Sequence, residues 1–386
     1  DRIEIESIDL PNNLSVPLML QGVDGNVLDG NLSGIYSVGL YKVVGHINIL
    51  YGDTVYLNPG TKFLFDGDYN FNIYGTLKAL GTVSDSIIFD NFGNNRWRGL
   101  SMDNTSSQTL FEYVRITGAG KEFGGGIMLS NSDPIFRNMI ISNNIGEYGG
   151  GMYLQNSNPI ITDVVLSNNN ASYGSGLAVY YSDPKLNSVT ISNNIASYDG
   201  GGIYIWESDS KLTNVTISNN SSNNGGAIFI KESNVVIANS IIWNNFPESM
   251  YLSSEEQPAI RYSNIQGYWE GEGNINIPPL FTDPESGDYT LQSNSQCIDA
   301  GAAFLELDGE VIVDLDESEY IGSAPDMGAY EYNPLSIDKA VEILPIKYSL
   351  EYLYPNPFNP KTSISFSIHK QSQISIKVFD IKGNLI

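Results

Sequence analysis

Glu207 and Glu232 stand at matching places in two segments that read alike, GGGIYIWESDS and GGAIFIKESNV. If such segments stack as successive coils, the two carboxylates share one column with backbones about 5 Å apart. That is the interval a retaining glycosidase needs between its nucleophile and its acid. Asp183 and Asp209 form a second acidic column just beyond. Stacked acids raise one another's pKa, as a general acid requires. Acids are equally at home in the turns of a stacked chain, and Lys231 offers Glu232 a neutralising charge. Catalysis by these four residues is therefore the weaker of the two readings.

Beside the acids lies a denser signal. Tyr153, Tyr180, Tyr181, Tyr204, Trp206 and Phe229 fall on positions that alternate with apolar ones, so they point outward if the apolar ones point in. Aromatic faces flanked by carboxylates and amides suit the apolar faces and hydroxyls of sugar rings. A contact with another protein or another copy of the chain fits the same residues, as does cover by another part of the chain. Glycan binding leads among the three.

Other chemistry is thinly represented. His46 and His369 are the only histidines, which removes most histidine-based catalysis and most transition-metal sites. A polysaccharide lyase needs a basic residue as its base and calcium for its uronates, but Arg98, Arg115, Arg137, Lys185 and Lys211 fall on different columns. No cofactor is expected; calcium has two weak candidate sites, Asp66 with Asp68, and Asp314 with Asp316. Cys297 is the single cysteine, so no intrachain disulfide can form.

The element that must position these residues is a repeat. Aligned on glycine, the segments 124–144, 149–169, 174–194, 200–220 and 225–245 each open with a Gly-rich triplet and close on paired asparagines. Their period is about 25 residues, with Asp199 as one inserted residue. Within each copy, short alternating runs are split by Gly, Asn, Ser, Asp and Pro, the mark of strands and turns. Ile127, Met152, Leu177, Ile203 and Ile228 make one apolar column; Ile116, Ile141, Leu166, Ile191, Ile217 and Ile242 make another. Stacked, these columns build an all-β fold, a right-handed parallel β-helix of about 25 residues per coil. The asparagine columns read as hydrogen-bonded ladders, and Phe123, Tyr148, Tyr173 and Tyr198 as an aromatic packing column.

A formal charge of −25 leaves no basic stripe for nucleic acid, and no apolar run is long enough for a membrane span. The opening DRIEIESIDL has no basic n-region or apolar core, as expected of a mature secreted chain.

The GGGI, NSxP and ISNN segments resemble the β-helix repeats of the pectin-lyase-like superfamily, a likeness that implies the fold and transfers no catalytic residue. NIPPLFTDPESGDYTLQSNSQCIDAG (276–301) with PDMGAYEY (325–332) resembles a tail found on secreted bacterial β-helix proteins. YLYPNPFNPKTSISFSIHKQSQISIKVFDIKGNLI (352–386) resembles the start of the type IX secretion sorting domain. These likenesses imply a secreted or cell-surface protein of a Gram-negative bacterium that engages the secretion machinery. The expected layout is a cap or remnant β segment over 1–44, the β-helix over 45–331, a linker over 332–349, and an incomplete Ig-like β-sandwich module over 350–386. The leading function is a non-catalytic carbohydrate-binding or adhesive module. A self-associating structural protein and a polysaccharide-cleaving enzyme are the alternatives.

Overall fold

A computed structural model describes residues 26–93 and 95–334, together with the backbone of five short strands outside that span. Two compact units result, Asn26–Leu335 and a second formed by Asp1–Gly25 with Ser336–Ile386.

The larger unit is a parallel β-solenoid of about nine turns, without an α-helix among the described residues. Each coil contributes to three faces. Face A carries Leu100–Asp103, Ile127–Ser130, Met152–Gln155, Leu177–Tyr180, Ile203–Trp206 and Ile228–Lys231, each paired in parallel with the next. Face B carries Lys185–Asn187, Lys211–Thr213 and Val236–Ala238, and face C carries Thr190–Ser192, Thr216–Ser218 and Ile241–Trp243. In the coils before these, single strands, Ile135–Ser142 and Ile160–Ser167, run across faces B and C.

Ile127, Leu129, Phe136, Ile141 and their register partners are buried in one continuous core. Branched aliphatic side chains suit these positions because β-branched and Leu side chains fill the stacked interior rung upon rung. In the earlier coils aromatic rings do the filling. Phe63 stacks on Phe89 at 5.3 Å, and Phe65 on Trp97 at 4.1 Å.

Pairing already begins at Asn26–Asn31, which lies against Gly39–Ile49, so residues 26–44 belong to the solenoid and not to a separate cap. These coils lack the Gly triplet and paired asparagines, so the repeat that marks later coils does not reach them.

Two side-chain ladders and a glycine corner hold the turns. Asn144, Asn169, Asn194, Asn220 and Asn245 are buried, each Nδ2 donating to the next Oδ1 at 2.9–3.2 Å. The asparagine before each of them, such as Asn143 (φ 59°) and Asn193 (φ 57°), takes the left-handed turn conformation that Asn tolerates. Ser132, Ser157, Ser182, Ser208 and Ser233 form the second ladder, each Oγ from Ser157 on accepting from the backbone N–H of the serine before it and that of Ser132 from the Thr105 N–H. Gly124 and its equivalents open the third corner. A Cβ at Gly124 would stand 2.1 Å from the Ile127 carbonyl oxygen, at φ +62°.

Residues 276–334 fold back along the outside of the last coils. Thr190 donates to the Tyr330 hydroxyl at 3.0 Å, the Ala329 N–H donates to Thr216 Oγ1 at 2.9 Å, and Lys211 pairs with Glu310. Phe281, Tyr289, Leu291, Cys297 and Met327 pack with Ile241 in a core of their own on face C.

In the smaller unit, Ile3–Ser7 pairs antiparallel with Leu14–Val16 and with Ile374–Val378, and Ser349–Tyr354 pairs antiparallel with Ser363–Ser367. The Ig-like sandwich expected over 350–386 otherwise lies outside the described residues.

Candidate functional site

Face A presents two outward columns to the outside. One runs Asn72, Ser101, Met128, Tyr153, Ala178, Tyr204, Phe229, Tyr251, in register from rung to rung. The column is thus polar at its first two positions, Asn72 and Ser101, and mostly aromatic from Tyr153 on. Asn72 continues into an amide ladder, donating to Asn48 Oδ1 at 2.9 Å.

The aromatic half is not the open platform expected from the sequence. Tyr153, Tyr180, Tyr204 and Phe229 retain 5–8% exposure and form a cluster outside the main core. Tyr204 stacks on Phe229, and the packing column of Phe123, Tyr148, Tyr173 and Tyr198 stacks in parallel beside it at 5.1–5.3 Å. Tyr148 meets Tyr180 edge to face, and Tyr173 meets Tyr204 likewise. The glycine corner turns the chain back against face A, and that turn lays one aromatic column across the other. Rings in such stacks cover one another's faces and show their edges outward. Burial pushes the phenols of Tyr153 and Tyr204 up to about 12 and that of Tyr180 further in the same direction.

Tyr181 is 46% exposed, and Trp206 is partly exposed 5.9 Å from it. Lys231 Nζ lies 4.3 Å over the Trp206 ring, and 4.0 Å from Glu232. Glu207 and Glu232 project next to them as exposed residues in left-handed turn conformation, φ 45° and 50°. Their shared column follows from the Trp206–Lys231 pairing.

Asp183 and Asp209 have structural employment. Asp183 Oδ1 accepts from the Asp209 N–H at 2.7 Å, and Asp209 Oδ1 accepts from the Asn234 N–H at 2.8 Å. A carboxylate accepting a backbone N–H in this way closes the turn of the next coil.

The calcium candidates are engaged with cations or apart. Asp66 meets Lys42 at 2.7 Å, and Asp68 receives two bonds from the Arg98 guanidinium at 2.8 and 2.9 Å. The Asp316 N–H donates to Glu319 Oε2, and Asp314 ends a strand of the closing segment. Among the described residues no three candidate metal ligands gather.

One arrangement escaped the sequence reading. Lys121 reaches across face A, its Nζ 2.7 Å from Ser101 Oγ and 3.4 Å from the Leu100 carbonyl oxygen. Burial, and then the Arg98 charge, lower the Lys121 amine to about 7. The signal was there to see: Gly120 pairs with Ile145, so Lys121 holds the place that Gly146 fills one coil on. A lysine where later coils put glycine, alanine or serine is a departure from the repeat.

A parallel β-solenoid whose coils are marked by glycine corners and buried asparagine ladders defines the class as a right-handed β-helix. The family described as "Right handed beta helix region" matches residues 18–221 and 175–271, and the chain belongs to it. The description "Secretion system C-terminal sorting domain" matches residues 352–386. The protein is accordingly exported by type IX secretion to the extracellular space or cell surface of a Gram-negative bacterium. No helix among the described residues is long and apolar enough to cross a membrane. Neither curated proteins nor solved structures yield a match.

Proposed function

We propose that the aromatic coils of this secreted β-helix form a non-catalytic, carbohydrate-binding surface that lays a glycan along face A. One observation supports it above the others, the unequal use of the three faces. The closing segment's hydrogen bonds to the coils go to face B, to face C with its last rung at Asn264, and to the turns on either side of face C at Asn239 and at Asn193 and Asn219. Face A carries Tyr181, Trp206, Glu207 and Glu232 at its surface. A partly exposed indole beside an exposed phenol, with carboxylates at its edge, offers the mixed apolar and hydrogen-bonding surface that sugar rings use. The buried rib behind them holds the two exposed rings in place.

Binding to a glycan array by the full chain and by a Tyr181→Ala/Trp206→Ala variant tests this. The expected result is selective binding lost in the double variant. Equal binding by both, or none by either, would count against it.

A further inference from the structure

We propose that Ser101 and Lys121 form a nucleophile and base on face A that cleave O-acyl esters carried by a hydroxyl-rich chain. The site goes beyond the binding surface above, since it uses earlier coils and none of the same residues.

The geometry is that of a serine–lysine pair. Lys121 Nζ sits 2.7 Å from Ser101 Oγ, within proton-transfer reach. Lys121 takes no part in the ion pairs Lys42–Asp66, Arg98–Asp68, Lys211–Glu310 and Lys231–Glu232. In a chain with 44 acidic and 19 basic residues, a half-buried lysine left without a carboxylate is out of keeping with its surroundings. The charged groups around it are few. Arg98 is held by Asp68, the Arg96 Nη1 donates to the Ala119 carbonyl at 3.0 Å, and Glu122 is exposed beside it in the chain. Burial and the Arg98 charge bring the amine to about 7, near the pH at which a general base works best.

The step balances without a further reactant besides water. Neutral Lys121 Nζ takes the Ser101 Oγ proton as Oγ bonds to the ester carbonyl carbon. The tetrahedral intermediate collapses, the ester C–O bond breaks, and Lys121 returns the proton to the departing alkoxide. Water then attacks the acyl-serine, giving its proton to Lys121. Lys121 passes that proton to Ser101 Oγ as the carboxylic acid leaves. Asn72 is the register partner of Ser101, and only one N–H of its amide is committed, to Asn48. The other is the donor assigned to the oxyanion. The amide ladder running back from Asn72 through Asn48 to Asn31 offers donors and acceptors for hydroxyl groups. An open face of this kind suits a small acyl group such as acetyl.

The full chain is assayed with p-nitrophenyl acetate and with O-acetylated xylan, and labelled with a fluorophosphonate probe mapped by mass spectrometry. The expected result is labelling of Ser101, with hydrolysis reduced about 100-fold or more in Ser101→Ala. Lys121→Arg keeps length and charge but cannot deprotonate, and it is expected to fold and lose the rate to a similar extent. Arg98 adds its charge to the larger effect of burial, so Arg98→Gln is expected to move the rising limb of the pH profile upward from about 7 by only the smaller part of the lowering. Absence of hydrolysis by the wild type, or a rate retained in Ser101→Ala or in folded Lys121→Arg, overturns the proposal. Loss of glycan binding at Tyr181 and Trp206 has no bearing on these outcomes, so the two sites fail or stand separately.

Discussion

Tyr204 and Phe229 lie ring on ring on successive coils, centroids 5.0 Å apart and planes 5° from parallel. They are the middle of a second, external core running beside the internal one. That arrangement divides the aromatic residues of face A into those that hold the solenoid and those that meet solvent. Tyr204→Ala removes a buried ring from the stack and is expected to destabilise by about 3 kcal/mol, in the range of large-to-small changes at buried aromatics. Tyr181→Ala, by contrast, should leave unfolding by denaturant nearly unchanged. Equal losses in the two variants would erase the distinction.

The same burial has a spectroscopic consequence. Tyr153 and Tyr204 have phenol pKa values near 12, and Tyr180 is raised beyond them, in each case mainly because burial disfavours the phenolate. An ultraviolet titration should show a group of tyrosines that stays protonated past pH 11 while the exposed ones ionise. Titration of all tyrosines in one step near the ordinary phenol value would contradict the packing.

Asn194 makes four hydrogen bonds in the buried ladder. Its Nδ2 donates to the Leu166 carbonyl and to Asn220 Oδ1, and its Oδ1 accepts from the Asn169 N–H and Nδ2. Asn194→Ala strands the Asn169 N–H and takes one bond each from the Leu166 carbonyl and the Asn169 and Asn220 amides, which keep their bonds to Ile141 and to the residue 194 N–H. At about 1–3 kcal/mol for an orphaned buried polar group, a loss of about 4 kcal/mol is expected on chemical denaturation. Asn193→Gly, at the adjacent left-handed position, should cost far less, because glycine adopts that conformation freely.

Asp326 gives the closing segment a pH dependence of known sign. It is 1% exposed, and burial raises its pKa to about 6 against the N–H donations of Asp299 and Tyr332. Because the folded value lies above the unfolded one, the stabilisation is complete below about pH 4 and is lost as pH rises through about 6. Wild type should therefore hold its closing segment more firmly at pH 4 than at pH 7, by about 3 kcal/mol from this group. Glu331, raised by burial as well, acts in the same sense. Amide exchange of residues 276–334 measures it, and Asp326→Asn should flatten the profile. An unchanged profile in that variant would assign the effect elsewhere.

Calcium at Asp66 and Asp68 would have to displace Lys42 and Arg98 from them. A chelator is accordingly expected to leave the melting temperature unchanged. A fall of several degrees that calcium reverses would show the cations to be displaceable.

Much of the fold was legible because the solenoid writes one coil's requirements many times over. The Ile127 and Ile141 columns, the Gly124 corner and the stacked Tyr148 all follow from period and alternation alone. What repetition does not carry is how far a corner folds back. Tyr153 and Tyr204 alternate with core residues and so read as exposed, yet the turn bearing Tyr148 and Tyr173 lies over them. Asparagine identity was visible too, but not that Asn193 bends the chain while Asn194 bonds inside it. Lys121 was missed because a site built from a single departure has no column to reveal it. The rung at Asn26–Asn31 was read as part of a cap because it carries neither the Gly triplet nor the paired asparagines, although it pairs with Gly39–Ile49.

The contact of Tyr330 with Thr190 spans 140 residues and several coils. Together with Ala329 on Thr216 and Gly328 on Asn239, it fastens the closing segment sideways to consecutive rungs. A pull entering the solenoid at Pro334 therefore meets these attachments in shear, sharing the load among rungs. Peeling the last coil away alone would require breaking them first. For a protein delivered to the outside of a cell, the strap makes the C-terminal end of the rod a mechanical fastening.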